Sequence, residues 1–319
     1  MDLFYSMIPS VLLIGAPIII AGIGGIFAER SGIVNIALEG IMLMGAFFAA
    51  TICYFVELSP SLEPFAGWIG IFAGMIAGGV FSLLLAVSVV TYKADHTIAG
   101  TAINMLSSGI TVYLCQIIFG MQRSETFRKG LSRINDVPVL SDLPIIGKIL
   151  FDNIYPTIYL ALIIVIFSNF ILFKTRFGLR LRSCGENPHA SAAMGINVYK
   201  TRYIAIMISG CLAGIAGSCM VLSESTQFTL SAVHGIGFIS IAAVIFGKWM
   251  PYGVLGTGLF FGFSSVIGIY ASQIPILNLI PSEFFSVIPY VVTIIALIIF
   301  SGKSVGPKAS GQIYDEGKR

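Results

Sequence analysis

Asn35 and Glu39 stand four residues apart at the head of an apolar run, so on a helix they share one face. Glu39 is the one carboxylate placed inside such a run, and at membrane depth an ionisable group is costly unless it faces a partner or a water-filled cavity. Farther along, Thr97, Thr101, Asn104 and Ser108 recur at spacings of three and four and draw one polar stripe along a second apolar run. Two readings stay open for these six residues. They line a translocation route, or their amide and hydroxyl groups bond neighbouring helices together.

No catalytic constellation accompanies them. The three histidines (96, 189 and 234) are scattered over different loops and run ends without metal-ligand spacing, so neither a catalytic nor a metal site is expected. His234 either borders a pathway or is a satisfied polar residue at the end of a run. The five cysteines lack C-x-x-C spacing and read as small packing residues. Ser301-Gly-Lys-Ser304 resembles the end of a phosphate-binding loop, but the glycine required five positions before Gly302 is Leu297. Gly235-Ile-Gly237 is a damaged dinucleotide fingerprint without flanking strands. No cofactor is expected, and ATP is not expected to bind this chain.

Residues 174–202 form a polar island with six of the 18 Lys and Arg residues and a single acid, Glu186. Within it Asn187 is a good N-cap, Pro188 suits the first helical position, and Ala190, Ala192, Ala193 and Met194 favour helix. Gly195 can close the C-terminus. The pattern predicts a two-turn helix over Pro188–Met194, too short to be stable alone in water, so a partner burying its Ala/Met face is expected.

What must position these groups is a membrane bundle. The chain is 319 residues long, 56% hydrophobic and only 10% charged, with a mean hydropathy of +0.94. Nine spans are expected, at about 9–28, 33–56, 67–90, 97–120, 156–173, 203–222, 229–247, 252–271 and 283–300. They make one all-α transmembrane domain over 1–319, with a cytoplasmic loop at 174–202 and a cytoplasmic tail at 303–319. Threaded alternately with the island inside, they keep thirteen of the eighteen basic residues inside, which puts the N-terminus outside and the C-terminus in the cytoplasm. The first run is expected to stay as a helix, since Met1–Pro9 has no basic residue and no cleavage site follows. The seventh run is clean only over Ile236–Phe246, and eleven residues at ~1.5 Å each cover little more than half of a ~30 Å core. It must recruit Thr229–Gly235 as a broken half, or else re-enter; a crossing keeps the basic tail inside. The 35 glycines crowd into the runs and read as close helix packing, some of them alternatively as hinges.

Three stretches carry a family resemblance: Phe27–Gly40 (FAERSGIVNIALEG), Gly178–Ile196 with Ser209–Gly217, and the glycine-rich Gly235–Gly262. They resemble permease subunits of ATP-binding-cassette importers for branched-chain amino acids, simple sugars and nucleosides. ERSGIVNIALEG and HTIAGTAINMLSSGIT (residues 96–111) look most like the nucleoside type. The resemblance implies a homologous second permease subunit, a cytoplasmic ATPase that binds the ATP, and an extracytoplasmic substrate-binding protein or lipoprotein. It implies a multi-pass protein of a bacterial cell membrane in contact with lipid, with no nucleic acid partner. Gly185, Glu186, Asn187, Pro188, His189, Ala190, Met194 and Gly195 fall on the motif that touches the ATPase, Met194 and Ser191 departing from its alanine-like pattern. Phe228, Phe238 and Tyr270 are candidates to stack on a nucleobase. A simple-sugar importer and a secondary transporter or channel are the alternatives.

Overall fold

The protein is described from a computed structural model, which covers residues 2–136, 152–270 and 306–317 and a few positions between 287 and 298. Its helices are α1 (Asp2–Arg30), α2 (Leu38–Glu57), α3 (Ala66–Ala86), α4 (His96–Phe119), α5 (Pro156–Lys174), α6 (Arg176–Glu186), α7 (Pro188–Ala193), α8 (Val198–Met220), α9 (Ile236–Phe246) and α10 (Pro251–Tyr270). α3 and α8 each finish in a π turn, Val87–Thr91 and Val221–Ser225. Counting those turns, seven of the described helices are long and apolar enough to cross a membrane: α1, α2, α3, α4, α5, α8 and α10. The expected span at 283–300 and the phosphate-loop lookalike at 301–304 lie outside the described residues.

Glycine decides how the centre is built. Lipid is as apolar as leucine, so helices here gain little from hiding apolar surface from one another and instead gain from close backbone contact. α2, α3 and α8 meet along such a seam: a β-carbon on Gly45 would stand 2.5 Å from the Cα of Gly214, and one on Gly78 would stand 2.8 Å from it. α1 packs on the other side of α8, where a β-carbon on Gly24 would lie 2.9 Å from the Ser209 carbonyl oxygen. α3, α4 and α5 keep their outward faces apolar and exposed, through residues such as Phe72, Ile117 and Phe167.

Two details sharpen the all-α reading and its broken seventh run. The all-α reading omitted a two-stranded antiparallel ribbon, β1 (Ile134–Asp136) and β2 (Asp152–Ile154), paired Ile134 with Ile154. Strands of three residues carry too little alternation to register as a pattern. The run at 229–247 is helical only over α9, since Thr229–Gly235 is a series of turns with His234 and Gly235 in the left-handed region. This broken run connects the two ends of the bundle. Phe228 packs edge-on against Phe47, and its amide donates to Ser124 beyond the end of α4. Trp249 lies against Glu29 and Arg30, where α1 finishes.

The opposite end, where Phe228 meets Ser124, also holds a feature hidden in the sequence. Glu57, closing α2, accepts backbone N–H bonds from Arg128 (2.7 Å), Lys129 (3.0 Å) and Gly130 (3.1 Å), tying the segment after α4 onto the bundle. Three donors on one carboxylate form a fixed anchor.

Candidate functional site

The first cluster surrounds Glu39. It lies in the first turn of α2, and its Oε1 and Oε2 accept the backbone N–H groups of Gly235 (2.8 Å) and Gly237 (2.7 Å) at the N-terminus of α9. Glycine is required on that side. A β-carbon on Gly237 would meet the Glu39 backbone nitrogen and Cα at 2.6 Å, and Gly235 has φ +78°. A cavity of about 270 Å³ opens here, lined by Glu39, Asn104, Ser108, Met105, Leu230 and Phe238 among others.

Asp95 caps α4, accepting from the amides of Thr97 (2.8 Å) and Ile98 (3.0 Å), and these bonds hold its carboxyl below the usual range. The stripe on α4 then divides into two roles. Asn104 accepts the Gly40 N–H at 2.8 Å and donates to the Ile36 carbonyl at 2.9 Å, so it clamps α4 to the connection between α1 and α2. Thr101 and Ser108 bond only to carbonyls of their own helix, and Thr97 and Thr101 are exposed. Asn35 belongs to neither group. It is buried, donates to Ser209 at 2.9 Å and glues α8 to the connection between α1 and α2, so it does not share the cavity with Glu39. The four-residue spacing failed because helix α2 begins only at Leu38, leaving Asn35 in the irregular connection before it.

The clamp predicts a measurable cost. Asn104→Leu keeps the volume but leaves the Gly40 N–H and the Ile36 carbonyl without these partners, which costs about 1–3 kcal/mol for each group stranded from water. Thermal unfolding in lipid nanodiscs is expected to show a clear drop in Tm for Asn104→Leu and almost none for Ser108→Ala.

Of the three aromatics considered for stacking, only Phe238 borders the cavity, its ring half-exposed. Phe228 is fully buried on Phe47, at 5.4 Å between centroids. Tyr270 bonds Ser10 across the α1–α10 contact at 3.2 Å. Thus two of the three pack into the bundle away from this cavity.

The second cluster is the polar island. Helix α7 runs Pro188–Ala193, one residue shorter than expected, because Met194 leaves helical geometry and Gly195 turns left-handed at φ +78°. Asn187 caps it, its Oδ1 accepting the Ala190 amide at 3.0 Å. The basic stretch before it is itself the helix α6, capped by Thr175. Its buried positions Gly178, Leu181 and Cys184 recur every three residues, a helical signal masked by the high count of charge. Glu186, Asn187, His189, Ala190, Ala193, Met194 and Gly195 are exposed, Met194 to 82%, whereas Gly185, Pro188 and Ser191 are buried.

What holds α7 was not legible beforehand. Gly185 lies against the Arg30 carbonyl at the end of α1, and its own carbonyl accepts the Ala309 N–H at 2.8 Å. The tail then crosses Gly32, whose carbonyl accepts the Gly311 N–H at 3.1 Å. Tyr314 packs on Cys184, Val198 and Tyr199, with the His189 ring 5.1 Å away. Burial pushes the Cys184 thiol up, which keeps it an unreactive packing group. Arg202, 2% exposed, donates to the Ser31 carbonyl at 3.2 Å and to the Gln312 carbonyl at 3.3 Å. Asp315 pairs with Lys93 at 2.7 Å. The tail is therefore a strap joining α7, the end of α1 and the turn before α4.

A turn between α9 and α10 closes the same end. Lys248 and Trp249 both have positive φ, at +54° and +53°. The strain, of order 1–3 kcal/mol per residue, is offset by Arg30, which donates to the Trp249 carbonyl at 3.0 Å, and by Glu29, which accepts the indole N–H. Glu29 is a buried carboxylate, whereas Glu39 is half-buried, and it lies just past the first expected span.

Comparison with known proteins covers nearly the whole chain. A family described as branched-chain amino acid transport system / permease component matches residues 7–297. The guanosine ABC transporter permease protein NupQ of Bacillus subtilis (strain 168) is 43% identical over 313 residues, covering 98% of this chain and 97% of that one. The nucleoside ABC transporter permease protein NupC of Lactococcus lactis subsp. cremoris (strain MG1363) is 40% identical over 318 residues, with the same coverage. A second Bacillus subtilis guanosine permease, NupP, is 26% identical over 291 residues, covering 91% of this chain and 79% of its own.

Proposed function

This chain belongs to the branched-chain amino acid transport permease family, and on that premise we propose that it is the membrane-spanning subunit of an ATP-driven nucleoside importer in a bacterial cell membrane. It transports and catalyses no covalent step; ATP is bound and hydrolysed by a partner. The observation that carries the mechanism is α7, a capped helix with one exposed face, fastened to the bundle through the backbone at Gly185.

In this reading residues 174–202 and the tail face the cytoplasm and the N-terminus lies outside. The broken run Thr226–Trp249 crosses the membrane, its inner half being α9. Glu186, Asn187, His189, Ala190, Met194 and Gly195 meet the ATPase, with Pro188 and Gly185 seating them. Closure of the ATPase moves α7; the strap and the Arg30 contact pass that motion to α1 and the α1–α2 connection, and the bundle changes its open side. Differential contact of α7 with the two ATPase states supplies the bias.

Thr97, Thr101, Ser108 and Glu39, together with Phe238, lie on the face of α2, α4 and α9 that a second, homologous permease covers, so the route forms between the two subunits. Polar groups exposed there need a water-filled cleft rather than lipid. Two similar guanosine permeases in one organism support such a pairing. An extracytoplasmic binding protein delivers the nucleoside to the end that carries the Glu57 anchor.

The test is uptake of radiolabelled nucleoside by proteoliposomes carrying the complete complex with Glu186→Ala plus Asn187→Ala. Losing the cap removes about 1 kcal/mol from a helix that is marginal already, and uptake is expected to fall at least about tenfold while the permease remains folded. Uptake that persists without the ATPase would overturn the proposal.

A further inference from the structure

We propose that Glu39 is a specificity-determining residue of the route: a fixed negative charge that accepts hydrogen bonds from uncharged, donor-rich cargo and turns away phosphorylated cargo. This rests on the reading of the chain as a nucleoside importer.

The carboxylate is held rather than free. Each of its oxygens accepts one backbone N–H, from Gly235 and Gly237, and the glycines leave no room for a side chain to intervene. A helix N-terminus carries roughly half a positive charge, so a full carboxylate overbalances it and leaves the junction negative by about half a charge. Without Glu39, the N-terminus of the eleven-residue α9 would be an attractive seat for an anion. With Glu39 in place that seat is already occupied from within the chain.

A carboxylate offers about four lone-pair positions; the N–H groups of Gly235 and Gly237 take two and that of Phe238 also bears on the group, so capacity remains for one further donor. The lining of the cavity contains no Lys or Arg, so no cation neutralises this charge from the cavity wall. Beside it stands the half-exposed ring of Phe238, a platform for a flat heteroaromatic base. Ribose hydroxyls and base N–H groups are donors, and a nucleoside has no charge to be repelled. A nucleotide carries the same base and sugar but brings a phosphate into a cavity in whose described lining Glu39 is the one acidic or basic side chain, His234 standing at the same junction outside that lining.

The cavity charge can be read without transport. In the assembled transporter, the five native cysteines are replaced by serine or alanine and Ser108→Cys is introduced into the cavity lining. Rates of modification by a cationic and an anionic methanethiosulfonate are each normalised to a free thiol. With Glu39 present, the cationic reagent is expected to react more than about tenfold faster, as a unit charge across a cavity in a partly aqueous medium requires. In Glu39→Gln the ratio is expected to fall at least about fivefold. A ratio unchanged by Glu39→Gln overturns the proposal. If that variant does not assemble, the parent alone decides, and a ratio near unity there overturns it equally. Nucleoside uptake by the same complex before cysteine replacement reports separately on the importer reading: its absence would count against that reading while leaving the labelling ratio intact.

Discussion

Gly214→Val is expected to leave almost no folded protein, because position 214 is where three helix backbones converge. A β-carbon there would fall on the Gly74 carbonyl, with the Gly74 carbonyl carbon at 2.9 Å, while Gly45 and Gly78 already approach the Gly214 Cα from two other helices. Overpacking a well-filled core costs about 1–3 kcal/mol even where side chains can give way. Here the neighbours are backbone, and relief requires α3 to move away from α8. That movement would break the seam holding α2, α3 and α8, which is comparable to the whole stability of a marginal fold, about 5–15 kcal/mol. The measurement is the yield of monodisperse protein after extraction. Gly109 supplies the contrast, since it lies exposed in α4 with nothing near its missing β-carbon. Gly109→Ala should express normally and gain about 0.5–1 kcal/mol of helix propensity. Normal yield of Gly214→Val would mean that the seam is not the assembly point.

The second large effect separates folding from coupling. Gly185→Val places a side chain on the Arg30 carbonyl, with the carbonyl carbon 2.9 Å from the new β-carbon, so α6 and α7 must lift off the end of α1. The bond from Ala309 to the Gly185 carbonyl lies in the same contact and is lost with it. The transmembrane helices do not depend on this contact, so Tm should change little. ATP-dependent nucleoside uptake should nevertheless fall at least about tenfold, since weakening the preference for one conformational state by about 1.4 kcal/mol is enough for that. ATP hydrolysis by the complex should continue while uptake stops, which marks uncoupling. Uptake within about twofold of the parent, at equal complex yield, would show that the seat of α7 is not part of the transmission.

Much of this molecule was legible because lipid imposes simple rules. A backbone in hydrocarbon must satisfy its own hydrogen bonds, so long apolar runs become helices, and among the described residues seven of the expected runs do. Capping is equally local: Asn187, Pro188 and Gly195 specify α7 to within one residue, because the groups they satisfy lie within four positions of each other. The family resemblance could be stated from contiguous motifs for the same reason. Thr175 caps the basic residues before α7 into α6, a local signal that the charge count obscured.

What only the tertiary structure decided is which polar groups meet. Asn35 and Asn104 look alike in the chain, but one bonds Ser209 and the other clamps Gly40 and Ile36. Phe228 and Phe238 lie ten residues apart with opposite fates, buried on Phe47 and open at the cavity, because the turn at His234 and Gly235 reverses which side of the run faces the core. Glu39 was recognisable as costly, since its burial can be read from its apolar neighbours. Its partner, the N-terminus of α9, is nearly two hundred residues away in the chain. The strap from Ala309 to Asp315 is invisible for the same reason: its bonds are backbone or long-range, and no residue type announces them. Helices and caps are dictated by short-range chemistry and by the solvent. The contacts that would convert the movement of α7 into a change at Glu39 arise only when distant segments are brought together.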